Sequence, residues 1–254
     1  MRDMTDPLAA SIATLREMIQ ASRVVAGFTG AGISTESGVP DFRSPNSPWM
    51  RHKPIPFESF LHSPEARREA WRRKFIIDDL YRDARPSRGH LAVASLIASG
   101  RMPAVITQNI DGLHQASGLG ENEVIELHGN GTYAKCLSCG RRHELDWVRL
   151  RFEASGEPPE CEACGGILKS ATISFGQAMP EGPMRMAQKL AARCDLFLVI
   201  GSSLVVYPAA AFPLFAKENG ARLVIVNREP TPLDGAADLV IHAEIGCVLS
   251  QFLL

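Results

Sequence analysis

Four of the six cysteines fall in two close pairs, Cys136-Leu137-Ser138-Cys139-Gly140 and Cys161-Glu162-Ala163-Cys164-Gly165-Gly166, and no other feature limits the fold so sharply. A CxxC segment bends into a knuckle that offers both sulfurs to one ion. The glycine behind each pair lets the turn close and point backbone N–H groups at sulfur. Residues 140 to 160 separate the pairs, one residue more than the usual upper spacing of about 20 for a zinc ribbon. Four thiolates complete a tetrahedral shell and leave no position for water, so the ion expected on Cys136, Cys139, Cys161 and Cys164 is one structural Zn²⁺. A redox-active dithiol is the competing reading. Three disulfides are disfavoured, because the N-terminal stretch carries Asp6, Arg16 and Glu17 among its apolar residues and does not read as a secretory signal. Cys194 and Cys247 stand singly in apolar surroundings and read as small buried hydrophobes.

Outside this module the chain alternates short apolar runs with helical stretches. The runs are Arg23–Phe28, Ala104–Thr107, Val124–Leu127, Leu196–Ile200, Leu223–Val226 and Leu239–Ile241. Each is continuously apolar rather than alternating, which is the pattern of strands covered on both faces. Helices are expected at the Leu8, Ile12, Leu15, Ile19 repeat, from a Ser87 cap to Ser99, from Pro183 to Arg193, and from Pro208 to Gly220. Strands alternating with helices give an α/β fold with a parallel sheet and helices on both faces. Two segments break the rhythm: 44 to 85, rich in Pro, Arg and aromatics, and about 129 to 170, the cysteine module. Both read as insertions that build a smaller domain. With 27 basic and 28 acidic residues, charge implies no nucleic-acid partner, and no stretch approaches the ~20 apolar residues of a membrane span. The expectation is a soluble, cytoplasmic protein.

The loops after the apolar runs carry the candidate chemistry. Thr29-Gly30-Ala31-Gly32-Ile33-Ser34-Thr35-Glu36-Ser37-Gly38 would let a backbone approach a pyrophosphate. It departs from the dinucleotide fingerprint, with Thr35 at the third glycine and no acidic residue near position 50 for a ribose. A tight strand-to-helix turn would explain the same glycines. Gly201-Ser202-Ser203 and Asn227 end two further runs at the same sheet edge, where small hydroxyls and an amide suit phosphate and ribose. Thr107-Gln108-Asn109-Ile110-Asp111-Gly112-Leu113-His114 places three polar side chains in four positions after a strand, and His128 closes the Val124–Leu127 run. Each of these is open to an ordinary reading, as solvent-facing strand ends or a structural histidine.

Taken together and in this order, Gly30-Ala-Gly-Ile-Ser34, Gly38-Val-Pro-Asp-Phe-Arg43, Thr107-Gln-Asn-Ile-Asp111, His128-Gly129, the two CxxC pairs and Gly201-Ser-Ser-Leu204 resemble the sirtuin family from Val24 to Cys247. The resemblance implies a Rossmann-like NAD-binding domain from residues 1–45, 86–128 and 171–254, and a small domain from 46–85 (helical module) and 129–170 (zinc-binding module). It implies an NAD-dependent protein-lysine deacylase that releases nicotinamide and O-acyl-ADP-ribose, with acylated lysine in other proteins as its substrate. Gly30, Ala31, Gly32, Ser34, Asp41, Phe42 and Arg43 would line the NAD site from one side; Gln108, Asn109, Ile110 and Asp111 from the next loop; Gly201, Ser202, Ser203, Asn227 and Cys247 from the far strands. Catalysis would fall to His128 as general base, with Asn109 and Asp111 holding the nicotinamide end. Ile173, Phe175 and Gly176 would line the acyl-lysine tunnel, on a segment that pairs with the peptide as an added strand.

This chain departs from the family pattern in two places, with Gln177 where Glu is usual after Phe-Gly and Ser202 where Thr is common. An ungapped alignment sets Trp71 and Lys74 where succinyl-preferring members carry Tyr and Arg, which implies a preference for neutral acyl groups. Two other readings stand beside deacylation: ADP-ribosyl transfer or NAD hydrolysis on the same fold, and a non-catalytic NAD- or protein-binding module.

Overall fold

The computed structural model describes residues 6–41 and 54–253. Phe42, Arg43, Pro45, Pro48 and Trp49 lie outside the described residues.

The first sheet is wholly parallel. Its strands are β1 (Val25–Thr29), β2 (Val105–Thr107), β3 (Val124–Glu126), β7 (Leu196–Ile200), β8 (Arg222–Val226) and β9 (Leu239–Ile241), in the order β3-β2-β1-β7-β8-β9. With the inserted strands left out of the count this is 3-2-1-4-5-6, the dinucleotide-binding order. Its switch point lies between the first strand and the fourth, here β1 and β7.

Continuous apolarity in the strands resolves into two buried faces. Leu196, Leu198 and Ile200 turn to one cluster with Leu15 and Ile19 of α1 (Pro7–Ala21) and Val93 and Leu96 of α4 (Arg88–Ala98). Phe197 and Val199 turn to the other, with Ala187 and Ala191 of α7 (Glu181–Arg193) and Ala216 of α8 (Phe212–Glu218). Phe28 and Phe197 anchor that second face, ring centroids 5.7 Å apart. Every residue of β1 and β7 is buried. Full burial of a Leu, Ile or Phe stabilises by about 1.5–3 kcal/mol, so these central strands dominate the core.

Several bounds shift for identifiable reasons. β1 begins at Val25 because the Asp195 carboxylate accepts the Arg23 and Val24 N–H groups in place of a ladder. α7 begins at Glu181, before Pro183, since the first-turn N–H groups have no helical partner for a proline to remove. The Pro208–Gly220 segment divides into a 3₁₀ turn, Ala209–Ala211, and α8, whose first turn contains Pro213. Ser87 caps α4 as expected and does so reciprocally: its side chain accepts from the His90 N–H while His90 Nδ1 accepts from the Ser87 N–H.

The second sheet is antiparallel, with β4 (Gly129–Cys136) between β5 (Arg142–Glu144) and β6 (Leu168–Thr172). α6 (Leu145–Ser155) packs on it, and so does α3 (Pro64–Leu80), which follows α2 (Phe57–His62). Their shared cluster joins Trp71 and Phe75 of α3 to Ala134, Cys136, Val148, Cys161 and Leu168. Trp71 is 1% exposed and stacks on Phe75 at 5.5 Å. Its indole is therefore a core side chain of this cluster, and its Nε1 is buried with no partner among the described residues.

Candidate active-site cleft and cysteine cluster

The loops leaving β1 and β7 meet at the switch point because neither carries side chains where they cross. The Gly30 N–H donates to Ile200 O at 3.1 Å and the Gly32 N–H to Gly201 O at 2.8 Å. A Cβ on Gly201, whose φ is +64°, would lie 2.4 Å from Ile33 N, and one on Gly30 would lie 2.8 Å from Gly201 O. Loop-on-loop packing thus explains these glycines, and it also leaves a backbone-lined cradle with Ala31 and Ser203 half-buried at its edge. Leu204, just beyond Gly201-Ser202-Ser203, has φ +55°, the strained backbone that functional loops tend to hold.

The loop after β2 brings its polar side chains into one network with this cradle. Gln108 Nε2 donates to Ser202 Oγ at 2.8 Å. Asn109 Nδ2 donates to Gly30 O at 3.1 Å and to Ser34 Oγ at 3.2 Å. Ser34 Oγ donates to Asp111 Oδ2 at 2.7 Å, and Asp111 Oδ1 accepts the Leu113 N–H at 2.9 Å. Ile110 contributes backbone, its carbonyl accepting the Gly131 N–H at 2.7 Å.

Two histidines to which the sequence reading gave no role complete the network. His90 Nδ1 is an acceptor in the helix cap, so Nε2 carries the proton and faces Ser34 Oγ at 3.5 Å. His114 Nε2 stands 2.9 Å from Thr29 Oγ1, which donates to Thr107 Oγ1 at 2.8 Å; Thr107 Oγ1 accepts the Asn109 N–H at 3.0 Å. Thr29 thus accepts from a protonated Nε2, and His114 Nδ1 is a bare, buried acceptor with no partner among the described residues. The two rings meet edge to face at 4.8 Å. Burial keeps both neutral, pushing His90 down to about 4 and His114 to about 3. Ser87 was legible as a helix cap; nothing in the sequence drew His90 into that cap or paired it with His114.

His128 lies where β3 passes into β4. Its Nδ1 donates to Gln108 O at 3.0 Å, which fixes the proton there and leaves Nε2 with its lone pair. Burial lowers its pKa, with the Gln108 hydrogen bond opposing. The His128 carbonyl accepts the Ile173 N–H at 2.8 Å, so the 173–176 segment runs beside the catalytic candidate. Along it Ile173 is half-buried, Phe175 is 65% exposed, and Gly176 is exposed. Gln177 Oε1 accepts the Ser174 N–H at 3.2 Å and closes the turn that follows.

The remaining candidates stand further out. Asn227, at the end of β8, donates from its amide to Glu229 O at 2.6 Å. Cys247 is exposed on α9 (Ile245–Leu249), beside the Arg88–Glu36 ion pair, and is not the buried hydrophobe expected; Cys194 is buried. Asp41 is the last described residue before Phe42.

The four paired cysteines converge at one end of the second sheet. Their sulfurs all lie within 4.8 Å of one another, with Cys136 and Cys164 Sγ 3.5 Å apart and Cys139 and Cys161 Sγ 3.7 Å apart. A tetrahedron with Zn–S of about 2.3 Å has edges of about 3.8 Å, and the Cys136–Cys164 and Cys139–Cys161 edges are close to that length. His143 Nε2 approaches Cys161 Sγ at 3.3 Å and can steady that thiolate.

The sequence profile of the Sir2 family matches residues 30–208. The NAD-dependent protein deacetylase of Rhodopseudomonas palustris is 57% identical over 245 residues, spanning 96% of this chain and 97% of that protein. The NAD-dependent protein deacetylase 1 of Bradyrhizobium diazoefficiens is 56% identical over 252 residues, spanning 99% of each. A solved Sir2 complex with a p53 peptide and NAD⁺ superposes with a TM-score of 0.84 at 36% identity, covering 94% of this chain and 96% of that one. A second, Sir2 bound to an acetylated peptide, gives 0.82 at 35% identity with the same coverage.

Proposed function

The chain belongs to the Sir2 family and is an NAD-dependent protein deacetylase with a four-cysteine structural metal site; from that premise we propose how its own residues remove an acyl group from lysine. NAD, when bound, supplies a nicotinamide–ribose bond that breaks readily and an ADP-ribose that carries the acyl group away. The protein supplies position and proton handling.

The observation that carries this reading is the tautomer of His128. With Nδ1–H held by Gln108 O, Nε2 is the acceptor, and burial favours the neutral ring at ordinary pH. A neutral imidazole within reach of a ribose hydroxyl is a suitable general base. Asn109 and Asp111 are held by Ser34 before any ligand arrives, so the nicotinamide end meets fixed groups rather than mobile ones. Gly30, Ala31, Gly32, Gln108, Ser202 and Ser203 form the phosphate and ribose side of the same cleft, with Asn227 and Cys247 towards the adenine. The family resemblance adds Asp41, Phe42 and Arg43 to the NAD contacts, Arg43 for phosphate and ribose and Phe42 to shield the reacting sugar carbon. The acyl-lysine enters along Ile173, Phe175 and Gly176.

In this reading residues 1–45, 86–128 and 171–254 form the NAD half and residues 46–85 and 129–170 the small half. Four thiolates kept for metal suit a reducing compartment, and cytoplasm is the setting we assign. The near balance of acidic and basic residues supports protein rather than nucleic acid as partner.

The test is nicotinamide release on an acetyl-lysine peptide, with the second product identified by mass. One O-acetyl-ADP-ribose per nicotinamide is expected. Nicotinamide released without peptide, or ADP-ribose found on protein, would move the assignment to hydrolysis or transfer.

A further inference from the structure

Lys169 on β6 is a buried lysine, 4% exposed, with no carboxylate partner among the described residues. The charged and titratable groups on the elements beside it are Tyr133, Lys135 (its cross-strand neighbour) and Cys136 on β4, and Glu58 and His62 on α2; none pairs with it. Its Nζ donates to Thr172 O at 2.6 Å and to Ser170 O at 3.3 Å, and it lies 5.9 Å from the centroid of the Phe60 ring. Burying an unpaired ammonium costs several kcal/mol, and an apolar side chain would pack there without that cost.

We propose that Lys169 is a positioning residue for deacylation, whose ammonium fixes the Thr172–Ile173 peptide group that in turn holds His128 and the acyl-lysine segment. The inference rests on the deacylase reading of the His128 cleft and goes beyond it by adding a residue outside that cleft. The carbonyl that Lys169 grips and the N–H that donates to His128 O at 2.8 Å belong to one planar peptide unit. A donor on the oxygen of a peptide polarises its N–H, and a charge-assisted donor does so about twice as strongly as a neutral one. The ammonium therefore acts on the backbone of His128 through a single peptide.

The seam around this peptide has no slack. Gly129, next to His128, has φ +72°, and a Cβ there would lie 2.1 Å from Ala171 O. The segment's other end is fixed where the Phe57 N–H donates to Phe175 O at 2.9 Å. Beyond the β4 ladder, Lys169, His128 and Phe57 thus hold the 169–175 backbone, and Lys169 is the charged one of the three. Burial lowers its pKa to about 8, so the charge is lost on the alkaline side of neutrality.

The experiment compares the parent with Lys169→Met, which keeps the stem and removes the charge. Two readouts are needed: amide hydrogen exchange at Ile173 at pH 7, which requires no turnover, and kinetics on an acetyl-lysine peptide with NAD. Ile173 exchange should rise at least about tenfold, and peptide kcat/KM should fall at least about tenfold, the factor that one hydrogen bond to a charged group is worth. The KM for NAD should change less than about threefold. Exchange and peptide kcat/KM both within about threefold of the parent overturn the proposal. If the variant does not fold, the parent decides: its peptide kcat/KM must fall as pH passes about 8, and a flat profile overturns the proposal. A parent that never deacylates defeats the deacylase reading instead, and Ile173 exchange still reports on Lys169.

Discussion

Ser34 Oγ donates to Asp111 Oδ2 at 2.7 Å while facing the amide of Asn109 at 3.2 Å and the ring of His90 at 3.5 Å. A hydroxyl has one proton and two lone pairs, so this serine is used to capacity. Ser34→Ala should leave Asn109 and Asp111 mis-aimed and unsatisfied, costing about 1–3 kcal/mol of stability. Nicotinamide release should fall by roughly 5-fold to 160-fold, the same free energy expressed as a rate. Activity within about twofold of the parent would show that the network does not orient the site.

His128→Ala removes a base and little core volume, since the residue is only half-buried. Turnover should drop by about 10²–10⁴, with NAD binding retained. Because burial lowers the His128 pKa, the neutral base persists below the ordinary histidine value of about 6.5. The acid limb of the parent's kcat/KM should accordingly lie below that pH. A limb at or above it would contradict the assignment of His128 as the titrating group.

Acid should unfold the protein through His90 and His114. Their folded pKa values, about 4 and about 3, lie below the unfolded value of about 6.5. The unfolded chain therefore takes up protons first as pH falls. Stability contributed by the neutral rings is complete above about 6.5 and is lost as pH falls from there towards the folded values, up to about 2–3 kcal/mol per ring by pH 4.5. Urea unfolding at pH 7 and pH 4.5 measures this, and equal midpoints would refute it.

One zinc per chain should be found in freshly purified protein. Cys136→Ser or Cys164→Ser should lose it and loosen the cluster around Trp71, Phe75 and Leu168, because Cys136 is both a candidate ligand and a member of that core. Activity should fall through the small sheet, whose β6 runs on to Ile173 beside His128. Active protein without zinc would defeat the metal reading.

Neutral acyl groups should be removed in preference to succinyl. Trp71 is closed in the core and uncharged, and Lys74 is paired with Asp78 on its own helix, so neither offers an uncompensated cation to an acidic acyl terminus. Values of kcat/KM on one peptide bearing acetyl-, butyryl- and succinyl-lysine decide this, and a succinyl value above the acetyl one would overturn it.

Some of this was fixed by local chemistry. Continuous apolar runs at Leu196–Ile200 and Val25–Phe28 required strands buried on both faces, because no arrangement with one wet face tolerates them. Cysteines two residues apart can meet one ion whatever surrounds them, and the small residues of the Gly30 and Gly201 loops announced a close approach of backbone to something. Those signals sit within a few residues of chain, so the sequence displays them.

What the sequence could not decide were pairings between distant residues. His90 and His114 lie 24 positions apart in sequence and touch only because the fold brings the first turn of α4 against the segment after β2. Trp71 reads as a candidate for the acyl tunnel by alignment, yet the turn of α3 carries it into the core of the cysteine module. The proton on His128 is assigned by a carbonyl 20 residues earlier, and the charge of Lys169 reaches that histidine through a peptide at the end of β6. Local sequence sets which groups exist and which faces are apolar; tautomer, burial and partner depend on long-range packing, which only the folded chain specifies.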